Sequence, residues 1–154
     1  TLVKRAHTVI EHDTKVRDIE NVLVELIPPR KTRNSIFVLN VYSSPRCRQH
    51  RFHVLFKRAI DIAQGQQLFI GGDFNAVHTA WGYKHDQPKG THLWAMAQYA
   101  GLELVTDPAA PTRQGNSVST DTTPDLTFAC NTRQDTMQDL GSDHYIICIS
   151  AEDG

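Results

Sequence analysis

The run Leu68-Phe69-Ile70-Gly71-Gly72-Asp73-Phe74-Asn75 ends an apolar stretch in two glycines, then sets a carboxylate and an amide two residues apart. In extended backbone, positions i and i+2 point the same way. Asp73 and Asn75 are therefore expected to project together while Phe74 turns into the core. A carboxylate beside an amide donor suits a site that orients water and holds an anionic oxygen. The same two side chains also suit a turn in which they cap backbone groups. Gly141-Ser142-Asp143-His144 precedes the apolar run Tyr145 to Ile149. There, His144 can donate to a phosphate oxygen and Asp143 can approach a hard cation; a polar turn entering a strand is the plain alternative. Asp125 opens the apolar run Leu126-Thr127-Phe128, where a carboxylate needs a partner; an imidazole is a suitable one. Tyr42 ends another apolar run, as a phosphate contact or as a half-buried packing residue.

Each group is weakly informative alone. Together, four polar groups sit at ends of apolar strands, and such ends can converge on one rim. Phosphodiester hydrolysis needs a positioned water, donors for the extra charge on phosphorus, a divalent cation and help for the leaving oxygen. Asp73, Asn75, His144 and Asp143 match those requirements.

The elements that must position these groups follow from periodicity. Residues 7–12 and 20–27 read as strands, the second with a period of two broken by Pro28-Pro29. Residues 30–35 suit a hairpin loop. Ile36 to Tyr42 is nearly continuous apolar sequence, as expected of a strand covered on both faces. Ser44-Pro45 resembles a helix start. Phe52, Leu55, Phe56, Ala59, Ile60 and Ala63 then form one stripe of a helix of about four turns, which Gly65 can end. A strand over 67–70 runs into Gly71-Gly72. Leu93, Met96, Ala97 and Ala100 form a second helical stripe, closed by Gly101. Residues 106–124 read as a long functional loop. Strands over 125–129, about 134–139 and 145–149 finish the chain. The mixture predicts one α/β (α+β) domain over residues 1–154, two sheets packed together with helices outside.

Composition sets limits. The chain has 154 residues, 40% hydrophobic and 21% charged, with a net charge of -1. That is an ordinary globular mixture without a global basic footprint. Local basic clusters, Arg30, Lys31 and Arg33, then Arg46, Arg48, Arg51, Lys57 and Arg58, read as solvated surface. Cys47, Cys130 and Cys148 are odd in number and far apart, so neither zinc nor a disulfide framework is expected, and a reducing, intracellular setting is. His7, His12, His50, His53, His85 and His92 are scattered singly, without metal-ligand spacing. No signal peptide and no apolar run near about 18 residues is present, so no membrane partner is expected.

Gly72-Asp73-Phe74-Asn75, the Asp125 strand and Ser142-Asp143-His144, in this order, resemble the endonuclease/exonuclease/phosphatase superfamily. More narrowly, Gly72 to Gly82, Val41-Tyr42-Ser43-Ser44-Pro45, Pro111-Thr112 and Pro124 to Phe128 resemble the apurinic/apyrimidinic-endonuclease-like domain of non-LTR retrotransposons, over residues 36–149. The resemblance implies a four-layer α/β sandwich of the DNase I-like type with two mixed or antiparallel sheets. It implies that Asp73 orients or deprotonates the attacking water, and that Asn75 holds the scissile phosphate and helps position Asp73. It implies that His144 contacts the phosphate with Asp125 as its carboxylate partner, that Tyr42 contacts the phosphate, and that Asp143 lies at a Mg²⁺ site, with Mn²⁺ as the alternative ion. The implied reaction is nicking of DNA to leave a 3′-hydroxyl that primes reverse transcription, at a nuclear site of action, in a parent polyprotein that also carries a reverse transcriptase domain. His78 and Trp81 belong to the retrotransposon-type pattern; Trp81-Gly82 is expected to pack against a tight turn and neither is assigned chemistry.

The sequence departs from the family at its start. Two earlier strand-end motifs, one with an asparagine and one with the glutamate that is the main metal ligand, have no counterpart at Glu11, Glu20 or Glu25. The chain is thus expected to begin partway through the domain, lacking roughly its first third, and to be weakly active or inactive by itself, because one carboxylate holds strongly hydrated Mg²⁺ poorly. Two other readings remain: a catalytically inactive nucleic-acid-binding remnant, and a phosphatase of the same superfamily acting on a small phosphoester.

Overall fold

The computed structural model describes residues 8–29, 34–47, 51–115, 117, 120–131, 137–138 and 146–147. Strands β1 (Thr8–His12), β2 (Glu20–Ile27) and β3 (Ile36–Tyr42) pair antiparallel in chain order. Helix α1 (Phe52–Ala63) then carries the chain to β4 (Gln67–Asp73), which lies parallel to β3. After a 3₁₀ turn (Thr79–Trp81) and helix α2 (Pro88–Tyr99) come β5 (Glu103–Leu104) and β6 (Asp125–Cys130). Strand β6 inserts antiparallel between β4 and β5, so the mixed sheet runs β1-β2-β3-β4-β6-β5. A separate pair, β7 (Met137–Gln138) and β8 (Ile146–Ile147), is antiparallel.

The core is organised by register. Leu23, Leu39, Ile70 and Phe128 pair across four strands and are all fully buried. Each buried side chain of this kind contributes about 1.5–3 kcal/mol. Helix α1 covers this face with Phe52, Leu55, Phe56, Ala59 and Ala63. Phe56 meets Phe128 at 6.3 Å between ring centroids, and Phe52 meets Phe74 at 5.9 Å. Helix α2 packs beside α1, with Leu93 and Ala97 buried.

Three sequence expectations need correction. First, β3 is not covered equally on both faces. Phe37, Leu39 and Val41 are buried, whereas Ile36 and Val38 are half-buried and Asn40 and Tyr42 exposed. A run of apolar residues records the middle of a sheet but not how completely each face is covered. Second, Ser44-Pro45 does not start the helix; α1 begins at Phe52, after Arg51. Ser44 instead closes a turn, accepting from Cys47 N–H at 3.1 Å, and its carbonyl is taken by Lys89. The Ser44 side-chain hydroxyl accepts from Arg46 N–H at 3.3 Å, so what reads locally as a helix cap closes this turn instead. Third, the left-handed end of α1 begins one residue early: Gln64, at φ 50°, is the cap, its N–H donating to the Ile60 carbonyl at 3.1 Å, and Gly65 follows it at φ 79°. The long loop over 106–124 is observed, stitched by one bridge between Arg113 and Thr122. The short strand β5 had no sequence signal.

Lys57 on α1 and Arg51 just before it behave as solvated surface: Arg51 pairs with Asp18 at 3.2 Å and Lys57 with Asp61 at 2.8 Å. Cys47 and Cys130 form no disulfide, and Cys148 lies outside the described residues. Among the described residues no helix is long and apolar enough to cross a membrane.

Candidate active site

Tyr42, Asp73 and Asp125 stand in one row. Tyr42 pairs with Asp73 across β3 and β4, and Asp73 pairs with Asp125 across β4 and β6. Paired residues on neighbouring strands share a face, so a phenol and two carboxylates line one edge of the sheet, on the face opposite α1. Tyr42 is exposed; Asp73 and Asp125 are half-buried.

Asn75 joins this row differently from its expected extended geometry. Strand β4 ends at Asp73, and Asn75 adopts a left-handed conformation with φ 45°. Its N–H donates to Asp73 Oδ1 at 3.1 Å, and its Nδ2 donates to the Ser43 carbonyl at 3.2 Å. Asn tolerates this region better than most residues. The turn keeps amide and carboxylate together, so the turn reading and the site reading describe one structure. Phe74 between them is fully buried, as its position predicts. The strand ends are tied: Ser43 N–H donates to the Asp73 carbonyl at 2.8 Å, and Phe74 N–H to the Pro124 carbonyl at 2.9 Å.

Three further groups meet the rim: Thr112, which the sequence placed only in the Pro111-Thr112 motif without a role, and Tyr83 and Lys89, which sequence reasoning missed. Buried Thr112 accepts from Asp125 N–H at 3.2 Å, fixing where β6 begins. Tyr83 is half-buried and bonds Thr123 and Thr122; burial, with Asp73 nearby, pushes its phenol pKa up. Lys89, half-buried in the first turn of α2, donates to the Ser44 carbonyl at 2.9 Å and the Ser43 carbonyl at 3.3 Å. Burial pushes its pKa down to about 8, partly offset by Cys47 and Asp73. The one available signal for Lys89 was a cation where a helix N-terminus favours an anion.

Asp143 and His144 lie outside the described residues. Among the described residues no three His, Cys, Asp or Glu side chains group as metal ligands. The described part of the rim does not by itself make a cation site.

The turn beyond the rim is a packing device. Trp81 is fully buried and donates from Nε1 to the Ala76 carbonyl at 2.8 Å. His78 accepts at Nδ1 from Ala80 N–H at 2.9 Å and packs against Trp81 and Trp94, with centroids 5.0 and 5.9 Å away. The expectation that Trp81-Gly82 packs at a tight turn agrees with this. Trp81→Phe removes the indole donor and leaves a void, so we expect a loss of roughly 2 kcal/mol in urea unfolding; an unchanged midpoint and slope would show that the indole contributes nothing.

The fold is an α/β fold of the endonuclease/exonuclease/phosphatase type. The endonuclease domain of TRAS1, a telomere-specific non-LTR retrotransposon, superposes with TM-score 0.76 at 23% identity, over 92% of this chain and 67% of that one. An endonuclease/exonuclease/phosphatase family protein from Leptotrichia buccalis C-1013-b gives TM-score 0.59 at 14% identity, over 96% and 61%. The chain thus spans about two thirds of the length of these domains. Residues 36–148 match the endonuclease-reverse transcriptase family, and the chain belongs to it. No curated protein matches the sequence.

Proposed function

We propose that this chain forms the C-terminal part of a DNA endonuclease that hydrolyses one phosphodiester bond with Mg²⁺, leaving a 3′-hydroxyl that primes reverse transcription in a parent endonuclease–reverse transcriptase. The observation that carries the reading is the row Tyr42, Asp73 and Asp125, with Asn75 turned onto Asp73, in a member of this family. In this reading Asp73 orients the attacking water and accepts its proton. Asn75 holds the scissile phosphate and fixes the Asp73 carboxylate, and Tyr42 touches the phosphate. His144 stabilises the charge that develops there, with Asp125 holding its far ring nitrogen. Asp143 belongs to the Mg²⁺ site, and the ion supplies Lewis acidity at the phosphate. The four-layer sandwich, with β7 and β8 in its second sheet, is part of the same reading.

The parent protein is expected to relax supercoiled plasmid in Mg²⁺ and to leave nicks that a DNA polymerase extends without end repair. Nicks that need phosphate removal before extension, or faster turnover of an inositol phosphate than of plasmid, would overturn this reading and favour the phosphatase.

A further inference from the structure

We infer that Lys89 is a DNA-contacting residue of this site, binding a backbone phosphate beside the one at Asn75. The inference rests on the nuclease reading and adds a residue that the family motifs do not name. Lys89 reaches the rim from the helix side of the sheet, whereas Tyr42, Asp73 and Asp125 stand on the other face. Its anchor is shared with the site: the Ser43 carbonyl accepts from both Asn75 Nδ2 and Lys89 Nζ. The two nitrogens therefore lie within two hydrogen-bond lengths of each other, a spacing suited to one phosphate or two adjacent ones.

The position is built and costly. Gly90, the next residue, sits so close to Val77 that a Cβ would lie 1.9 Å from the Val77 carbonyl oxygen. The first turn of α2 is thus pressed onto the segment that follows Asn75. Lys89 makes no ion pair with any described carboxylate, and α2 has no acidic residue in its first turn. A half-buried ammonium satisfied by neutral carbonyls, at the positive end of a helix, is unfavourable in the free protein. An anion at the rim reverses that balance. With two of three donors on Ser43 and Ser44, one N–H remains for a phosphate oxygen.

The test is binding of a short DNA duplex by this chain in EDTA across a salt series, for wild type, K89M, K89Q and K89R. Each phosphate neutralised contributes about 0.9 to the slope of log Kobs against log salt. K89M and K89Q are expected to lose that amount and, at low salt, on the order of tenfold in affinity, while K89R keeps both. K89Q retains donors for the two carbonyls without the charge, so it carries the test if K89M does not fold. K89M should melt no lower than wild type, because it removes a desolvated charge. Raising the pH through about 8 should discharge Lys89 against its neighbours Asp73 and Cys47 and weaken wild-type binding but not that of K89R. If wild type binds with a salt slope that K89Q leaves intact, Lys89 is not a phosphate ligand and the nuclease reading stands. If wild type shows no salt-dependent DNA binding, the nuclease reading falls and Lys89 with it.

Discussion

Replacing Asp73 by Asn is expected to lower plasmid nicking by the parent protein on the order of 10³-fold while leaving the fold intact. The substitution is nearly isosteric. Asn keeps an oxygen for the Asn75 N–H, which Asp73 Oδ1 accepts at 3.1 Å. It keeps the backbone carbonyl that accepts from Ser43. What it removes is the negative charge that orients a water and takes its proton. Asp73→Ala removes the turn acceptor as well and confounds chemistry with geometry, so the Asn variant is the sharper probe. Nicking rates should be read beside urea unfolding, and the midpoint should stay close to wild type. Activity within tenfold of wild type, at unchanged stability, would remove Asp73 from the chemistry.

The second large effect is structural. Gly72→Ala should destabilise the chain by roughly 3–5 kcal/mol, the range reserved for strained backbone combined with overpacking. Gly72 has φ 140°, a conformation that side chains rarely adopt. A Cβ there would lie 2.0 Å from the Val41 carbonyl oxygen and 2.8 Å from the Val41 nitrogen. Those atoms belong to β3, paired with β4 at this level, so the clash cannot be relieved by a side-chain rotation. Strand β3 must move, and with it Tyr42 and the tie from Ser43 to Asp73. Since small domains are stable by only about 5–15 kcal/mol, most of the native population is at stake. Urea unfolding of the Ala variant measures the loss; a change below about 1 kcal/mol would mean that the close approach relaxes freely.

Much of this protein is written locally. Strand 20–27 follows from alternation stopped by proline, strand 36–42 from a nearly continuous apolar run, and the buried stripe of α1 from spacing of three and four. The pairing of a carboxylate with an amide at 73 and 75, and the strand-opening carboxylate at 125, are properties of short runs. Their resemblance to a family needed no coordinates. The tertiary structure decided what lies beside what. Alternation says which residues share a face but not which strand is the neighbour, or in which register. Nothing local dictates that β4 runs parallel to β3 and antiparallel to β6, yet that arrangement alone puts Tyr42, Asp73 and Asp125 in one row. Ser44 reads as the start of α1 because a serine capping a turn and one capping a helix make the same short-range side-chain bond, and only the fold shows that a turn follows. Lys89 carried only the weak local signal of a cation at a helix start, because its partners Ser43 and Ser44 lie far along the chain. Its charge is unremarkable on a helix, and acquires meaning only where α2 is pressed against the turn that holds Asn75.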